Sequence, residues 1–132
     1  MVWSEAQYAI PYEHSPCVIS PILRGEWYSR ERGENVLTVI DANSMSNYGR
    51  CLEVKSHQKD NFTFALQRDN CFYCVRLLIR TLNVLEKIES GCVNLNPNDK
   101  PDLQSICRTL DPNQQLNTMF CKFRTFTFLG LI

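Results

Sequence analysis

Cys71 and Cys74, spaced as Cys71-Phe72-Tyr73-Cys74, are the residues whose type and spacing come nearest to a chemical signature in this chain. Two thiolates at that spacing suit either a tetrahedral metal site or a dithiol redox pair. A zinc ribbon needs a second close pair to complete four ligands, and Cys92 and Cys107 stand too far apart to form one. A thioredoxin-type site places its pair at the start of a helix that follows a strand. Here Arg68-Asp69-Asn70 makes a turn, and no βαβ pattern follows. The pair therefore reads as two half-cystines that reach different partners across a sheet.

Other candidates carry less. Glu26, Glu31 and Glu34 resemble paired carboxylates for glycoside hydrolysis, but they surround an expected turn where nothing raises one pKa against another, so a solvated hairpin tip is the reading. His14 and His57 lie in polar segments without a neighbouring acid or cysteine and read as surface residues. No catalytic residue, cofactor site or metal ligand is assigned, and the chain is not expected to be an enzyme.

The remaining cysteines give the pattern its meaning. Seven cysteines in 132 residues would be a surplus of oxidisable thiols in a cytosolic enzyme, whereas a small secreted module uses them to staple a modest core. Cys17, Cys51, Cys71, Cys74, Cys92 and Cys107 are expected to form three disulfides, each contributing roughly 2–4 kcal/mol. Their connectivity stays open, since six cysteines allow about 15 pairings. Cys121 is the odd one, left free, bonded to another chain, or paired with a cysteine outside this sequence. Asn61-Phe62-Thr63 is an N-glycosylation sequon at the edge of a polar loop, with Asn61 the acceptor.

Lysine and arginine together balance aspartate and glutamate at fourteen each, with the signs interspersed. No broad field attracts nucleic acid or an anionic membrane. Residues 1–16 form an N-terminal extension without the basic start and apolar stretch of a secretory signal. Residues 121–132 form an apolar tail, with Phe126, Phe128, Leu129, Leu131 and Ile132, well short of the roughly 20 residues of a spanning helix. We expect a fragment of a longer precursor, with one domain over residues 17–120 and a tail dispensable for folding. No membrane insertion is expected from this segment.

The elements that must hold these residues are mainly strands. Trp27-Tyr28 and Val36-Leu37-Thr38-Val39-Ile40 read as a hairpin around Glu31–Asn35. In Arg50–Lys55, alternation puts Cys51, Glu53 and Lys55 on one face and Leu52 and Val54 on the other. His57 to Asn61 reads as a polar loop, and Phe62–Leu66 as a further strand. Over residues 71–89 a helical stripe of Leu77, Leu78, Thr81, Leu82, Leu85 and Ile88 competes with two strands turning at Asn83; two strands are preferred. Asp102 reads as the cap of a short helix with Leu103, Ile106, Cys107 and Leu110 on one face. The fold class is thus mainly β: a small antiparallel sheet or partial barrel with one short C-terminal helix, stapled by disulfides.

Gly25-Glu26-Trp27 is a G-x-W element at the entrance of the first strand. Lipocalin-type barrels carry such a tripeptide, where the tryptophan plugs one end and the glycine lets backbones approach. A core tryptophan at the start of a sandwich strand explains it as well. In either case Gly25 and Trp27 are structural core.

Taken in order, Cys17, Leu23–Tyr28, Tyr48–Cys51, Cys71–Val75, Asn83–Glu86, Glu89–Cys92, Leu103–Cys107 and Leu116–Phe120 resemble a domain-of-unknown-function family of secreted and membrane-anchored invertebrate proteins. The resemblance implies an extracellular, disulfide-bonded module and brings no catalytic residues. It leads us to expect a non-catalytic module for adhesion, ligand recognition or architecture in a larger secreted or cell-surface protein. Its partner would be an extracellular protein or glycan, alongside further domains of the same precursor. The alternative is a lipocalin-like carrier of a small apolar ligand, which requires an enclosed apolar cavity above Trp27 where an interaction module would have a filled core.

Overall fold

A computed structural model describes residues 17–123. Eight strands follow one another: β1 (Gly25–Glu31), β2 (Glu34–Ile40), β3 (Ser44–Met45), β4 (Gly49–Gln58), β5 (Asn61–Arg68), β6 (Cys71–Thr81), β7 (Val84–Glu89) and β8 (Asn117–Phe123). Each pairs antiparallel with the next, and β8 returns to β1, so the sheet is a closed barrel rather than a partial one. The one short α-helix among the described residues, α1 (Leu103–Ile106), lies outside the barrel against β4, β5 and β6.

Turn chemistry explains why the strands follow one another so closely. Arg32 and Gly33, both at positive φ, close the β1–β2 hairpin in two residues, a tighter turn than the polar stretch suggested. Lys59-Asp60, Asp69-Asn70 and Leu82-Asn83 connect the next three hairpins, so residues 71–89 are two strands and the expected loop from His57 to Asn61 shrinks to Lys59 and Asp60. Gly49 is required at the start of β4: its φ is +96°, and a Cβ there would sit 1.9 Å from the Gln67 carbonyl oxygen. Gly25 opens β1 at φ 142°, another conformation that side chains rarely adopt.

Alternation along β1 buries Gly25, Trp27 and Ser29 and leaves Glu26, Tyr28 and Arg30 more exposed. Trp27 is fully buried, and its Nε1 donates to the Leu23 carbonyl at 2.8 Å. Leu23 ends a 3-10 turn, Pro21–Leu23, just before β1. Phe64, Leu66, Val75, Leu77, Leu85 and Met119 join Trp27, Ile19, Ile40, Met45 and Tyr48 in one interior cluster.

β4 departs from the alternation expected of it. A bulge between Cys51 and Glu53 inserts one residue against β5, so Cys51 and Val54 both reach the interior cluster while Leu52 packs on the outside. Cys51 and Val54 therefore share the face that simple period-two counting divides between them.

A second, smaller core lies outside the barrel. Ala65 on β5, Cys74 on β6 and Ile106 on α1 are fully buried, with Leu52, Phe72, Leu95, Leu103, Cys107 and Leu110 packed around them. Asp102 caps α1 by accepting from the Ser105 amide at 2.9 Å, and Glu53 reaches across from β4 to accept from the Leu103 amide at 2.8 Å. Two carboxylates thus satisfy amides that the short helix cannot satisfy itself.

β8 runs through position 120, where the sequence placed the end of the domain, to Phe123. It pairs Cys121 with Trp27, Phe120 with Tyr28 and Met119 with Ser29 on β1, and Phe120 with Val84 and Met119 with Leu85 on β7. A chain shortened to end at Phe120 should therefore show a lower melting temperature and weaker near-ultraviolet circular dichroism than one ending at Phe123. Equal melting curves would show that residues 121–123 add nothing to closure.

Truncating the ring that fills the barrel gives a second test. Trp27→Ala leaves a cavity in a closed interior and should cost about 3–5 kcal/mol, read by urea denaturation at neutral pH. A change within about 0.5 kcal/mol would mean that the ring is not a core element.

Candidate functional site

The inward rows of β1 and β7 change character along their length. On β1 the row passes from Trp27 through Ser29 to Glu31, and on β7 from Leu85 through Lys87 to Glu89. Both strands thus deliver polar groups to one end of the interior. Tyr48, from the turn between β3 and β4, reaches the same place.

Lys87 is the centre of this cluster. Its side chain is 1% exposed, and its Nζ donates to Tyr48 Oη at 2.6 Å and Glu31 Oε2 at 2.9 Å, with Glu89 Oε2 at 3.0 Å. An ammonium has three protons to donate, and three acceptors surround this one. Tyr48 Oη in turn donates to Glu89 Oε2 at 2.8 Å, and Ser29 Oγ to Glu31 Oε2 at 2.6 Å. The Tyr73 ring meets Tyr48 edge-on at 5.4 Å.

Burial costs this cation its hydration, and the two carboxylates restore a counter-charge. Burial raises the Glu31 carboxyl, but hydrogen bonds from Ser29 and Lys87 and the charges of Lys87 and Arg32 outweigh it and hold the group below the ordinary carboxylate range. Burial first, and then the neighbouring Glu89 carboxylate, push the Tyr48 phenol up, so it stays protonated as a donor. An ammonium held by three acceptors offers no lone pair for nucleophilic attack. The arrangement clamps β1, β7 and the β3–β4 turn together. Both carboxylates remain partly exposed, and a polar cleft of about 350 Å³ opens beside them, with Arg30, Arg32 and Gln114 on its walls.

Residues 15–112 match a family described as a domain of unknown function, DUF7044. The chain belongs to the DUF7044 family. No curated protein and no solved structure matches the chain. The DUF7044 match spans β1 to β7 and α1, and the barrel-closing β8 lies beyond it.

All three disulfides of the structure fall within the DUF7044 residues: Cys17–Cys51, Cys71–Cys92 and Cys74–Cys107. The first ties the segment before β1 to β4. The second joins the start of β6 to the loop after β7, where Phe72 and Val93 also form a bridge. The third pins the C-cap of α1 to the outer face of β6. Cys71 and Cys74 point to opposite faces of β6, and each has its own partner. Cys121 is unpaired on β8, opposite Trp27 and half-buried against the interior cluster.

The remaining singled-out residues are dispersed. Asn61 opens β5 with its Oδ1 buried and without a hydrogen-bond partner, and Thr63 of the same sequon is buried, so the triplet is drawn into the sheet. Thr63 Oγ1 lies 2.7 Å from His57 Nε2 and accepts from Arg76. Desolvation, then the charges of Arg76 and Lys55, lowers the His57 pKa. Glu26 leaves the opposite face of β1 from Glu31, and His14 lies outside the described residues. Glu31, expected at a solvated hairpin tip, instead joins Lys87, Glu89 and Tyr48, which no chemical motif marks. The usable signal was parity: in Val84–Glu89, Leu85, Lys87 and Glu89 share a face with one end apolar.

Lys87→Met keeps the apolar stem and removes the charge, leaving Glu31 and Glu89 without their cation. Stability should fall by roughly 2–4 kcal/mol, moderated because both carboxylates reach water. The folded-state pKa of Glu31 lies below its unfolded value. Its stabilisation is thus present above about pH 4.3 and is lost as the pH falls through the folded value. Urea denaturation from pH 7 to 3 should show that loss in the native chain and a shallower one in the variant. Equal slopes would mean that Lys87 does not hold the Glu31 charge.

Proposed function

We propose that this DUF7044 chain is a non-catalytic extracellular module, used for ligand recognition, adhesion or architecture within a larger secreted or cell-surface protein. The occupied interior of the barrel carries this reading. From Trp27, Phe64 and Leu66 through Leu77 and Leu85 to Lys87, the inward side chains are almost wholly buried and packed or hydrogen-bonded to one another. Recognition then falls to the outer surface. Three disulfides suggest an oxidising environment, which supports the extracellular assignment. No helix among the described residues is long and apolar enough to cross a membrane.

A lipocalin-like carrier is the second reading, favoured by the closed eight-stranded barrel with Trp27 behind its first strand. It needs an apolar ligand to enter the space that these side chains hold.

An epitope-tagged full-length protein should be detected on unpermeabilised cells or in their medium. Mass mapping of its non-reduced peptides should return the links 17–51, 71–92 and 74–107. Cytosolic retention with four or more free thiols would overturn the extracellular reading. Saturable one-to-one binding of a fluorescent fatty-acid analogue would replace the module with the carrier.

A further inference from the structure

Three surface clefts share walls around the polar end of the barrel. The one beside Lys87 meets a second along Glu31, Arg32 and Glu89, and a third along Arg30, Gln115, Leu116 and Asn117. The three clefts adjoin at these shared residues, and taken together they form a groove from the β1–β2 turn, across the approach to β8, to Phe120. The first and third members measure about 350 and 530 Å³, within the range of small-molecule sites of about 300–1,000 Å³.

The lining is mixed in a way that selects a ligand class. Arg30 and Arg32 offer guanidinium donors, Glu31 and Glu89 offer acceptors, and Gln115 and Asn117 offer amides that do both. With two arginines and Lys87 set against three glutamates along the groove, its charge is close to balanced, and it does not favour a polyanion. At the far end Phe120 is 58% exposed on the outer face of β8. An exposed ring beside a row of planar polar groups suits a ligand with hydroxyls around its rim and a C–H face.

Arg32 supplies an independent observation. It lines two of the three clefts and is held at φ 56° in the hairpin turn, a left-handed conformation that asparagine or glycine adopts more readily. The turn keeps a guanidinium at the groove where a cheaper residue would close it.

We infer that this groove binds a neutral oligosaccharide, with Arg32, Gln115 and Asn117 hydrogen-bonding its hydroxyls and Phe120 stacking on a sugar ring. The inference rests on the recognition reading above and names its ligand class.

The test is a nuclear magnetic resonance titration of the oxidised full chain with four hexasaccharides: β-1,4-linked glucose, β-1,4-linked N-acetylglucosamine, α-1,4-linked glucose and a heparin fragment. At least one neutral hexasaccharide should saturably shift the amides of Arg32, Gln115, Asn117 and Phe120. Phe120→Ala and Gln115→Ala should each weaken that binding at least about tenfold while leaving the melting temperature within a few degrees. Shifts with none of the neutral sugars, with the heparin fragment alone, or undiminished in both variants would overturn the inference. Because secretion and disulfide mapping are read separately, a failed titration on a secreted, fully bonded protein removes the oligosaccharide and leaves the extracellular module standing.

Discussion

The pairing of β8 with β1 is the constraint on which the rest of this structure depends. β1 has β2 on one side and β8 on the other, so it has no free edge, and the ring of hydrogen bonds closes around whatever points inward. A closed ring cannot spread to accommodate a poor fit. Its interior must be filled by side chains of the right volume, and Trp27, Phe64 and Leu66 supply much of it, while Met119 and Leu85, paired with each other, join them from the closing side. The 3-10 turn before β1 adds the acceptor that a buried indole N–H requires.

The same closure accounts for the polar cluster. Once the barrel is shut, the inward positions beyond Ser29 and Leu85 still face one another across a small space, and Glu31, Lys87 and Glu89 occupy it as a nearly saturated ion-pair network with Tyr48 as hydrogen-bond relay. A lone lysine there would be very costly. With two carboxylates and a phenol in reach, it becomes a joint among elements far apart in the chain. Its partly wet rim is also where the surface becomes rich in donors and acceptors, which links a structural device to the groove beside it.

The disulfides act at a different level from the barrel hydrogen bonds. Cys17–Cys51 secures the segment that leads into the Trp27 plug, and Cys74–Cys107 fastens a one-turn helix that could not persist on propensity alone. Together with the Asp102 and Glu53 caps, this last bond lets residues 93–110 cover the outer face of β5 and β6. The sheet is therefore buried on both sides at Ala65, while Thr63 lies against His57 and Arg76, so β5 is buried at four successive positions, Thr63-Phe64-Ala65-Leu66, instead of alternating.

Much of this was legible in local patterns. The hairpins, the preference for two strands over a helix at residues 71–89 and the Asp102-capped helix follow from turn residues, spacing and capping chemistry, which act over a few residues and are written in the order of the chain. Beyond that reach the sequence was silent. β8 gave no clear signal because Phe120 and Met119 are both apolar and only pairing on both sides decides which faces in. The β4 bulge, the partners of six equivalent cysteines and the meeting of Lys87 with Glu31, fifty-six residues away, were decided by closure of the barrel. That closure sets register and proximity between segments whose separation in the chain carries no information about their distance in space.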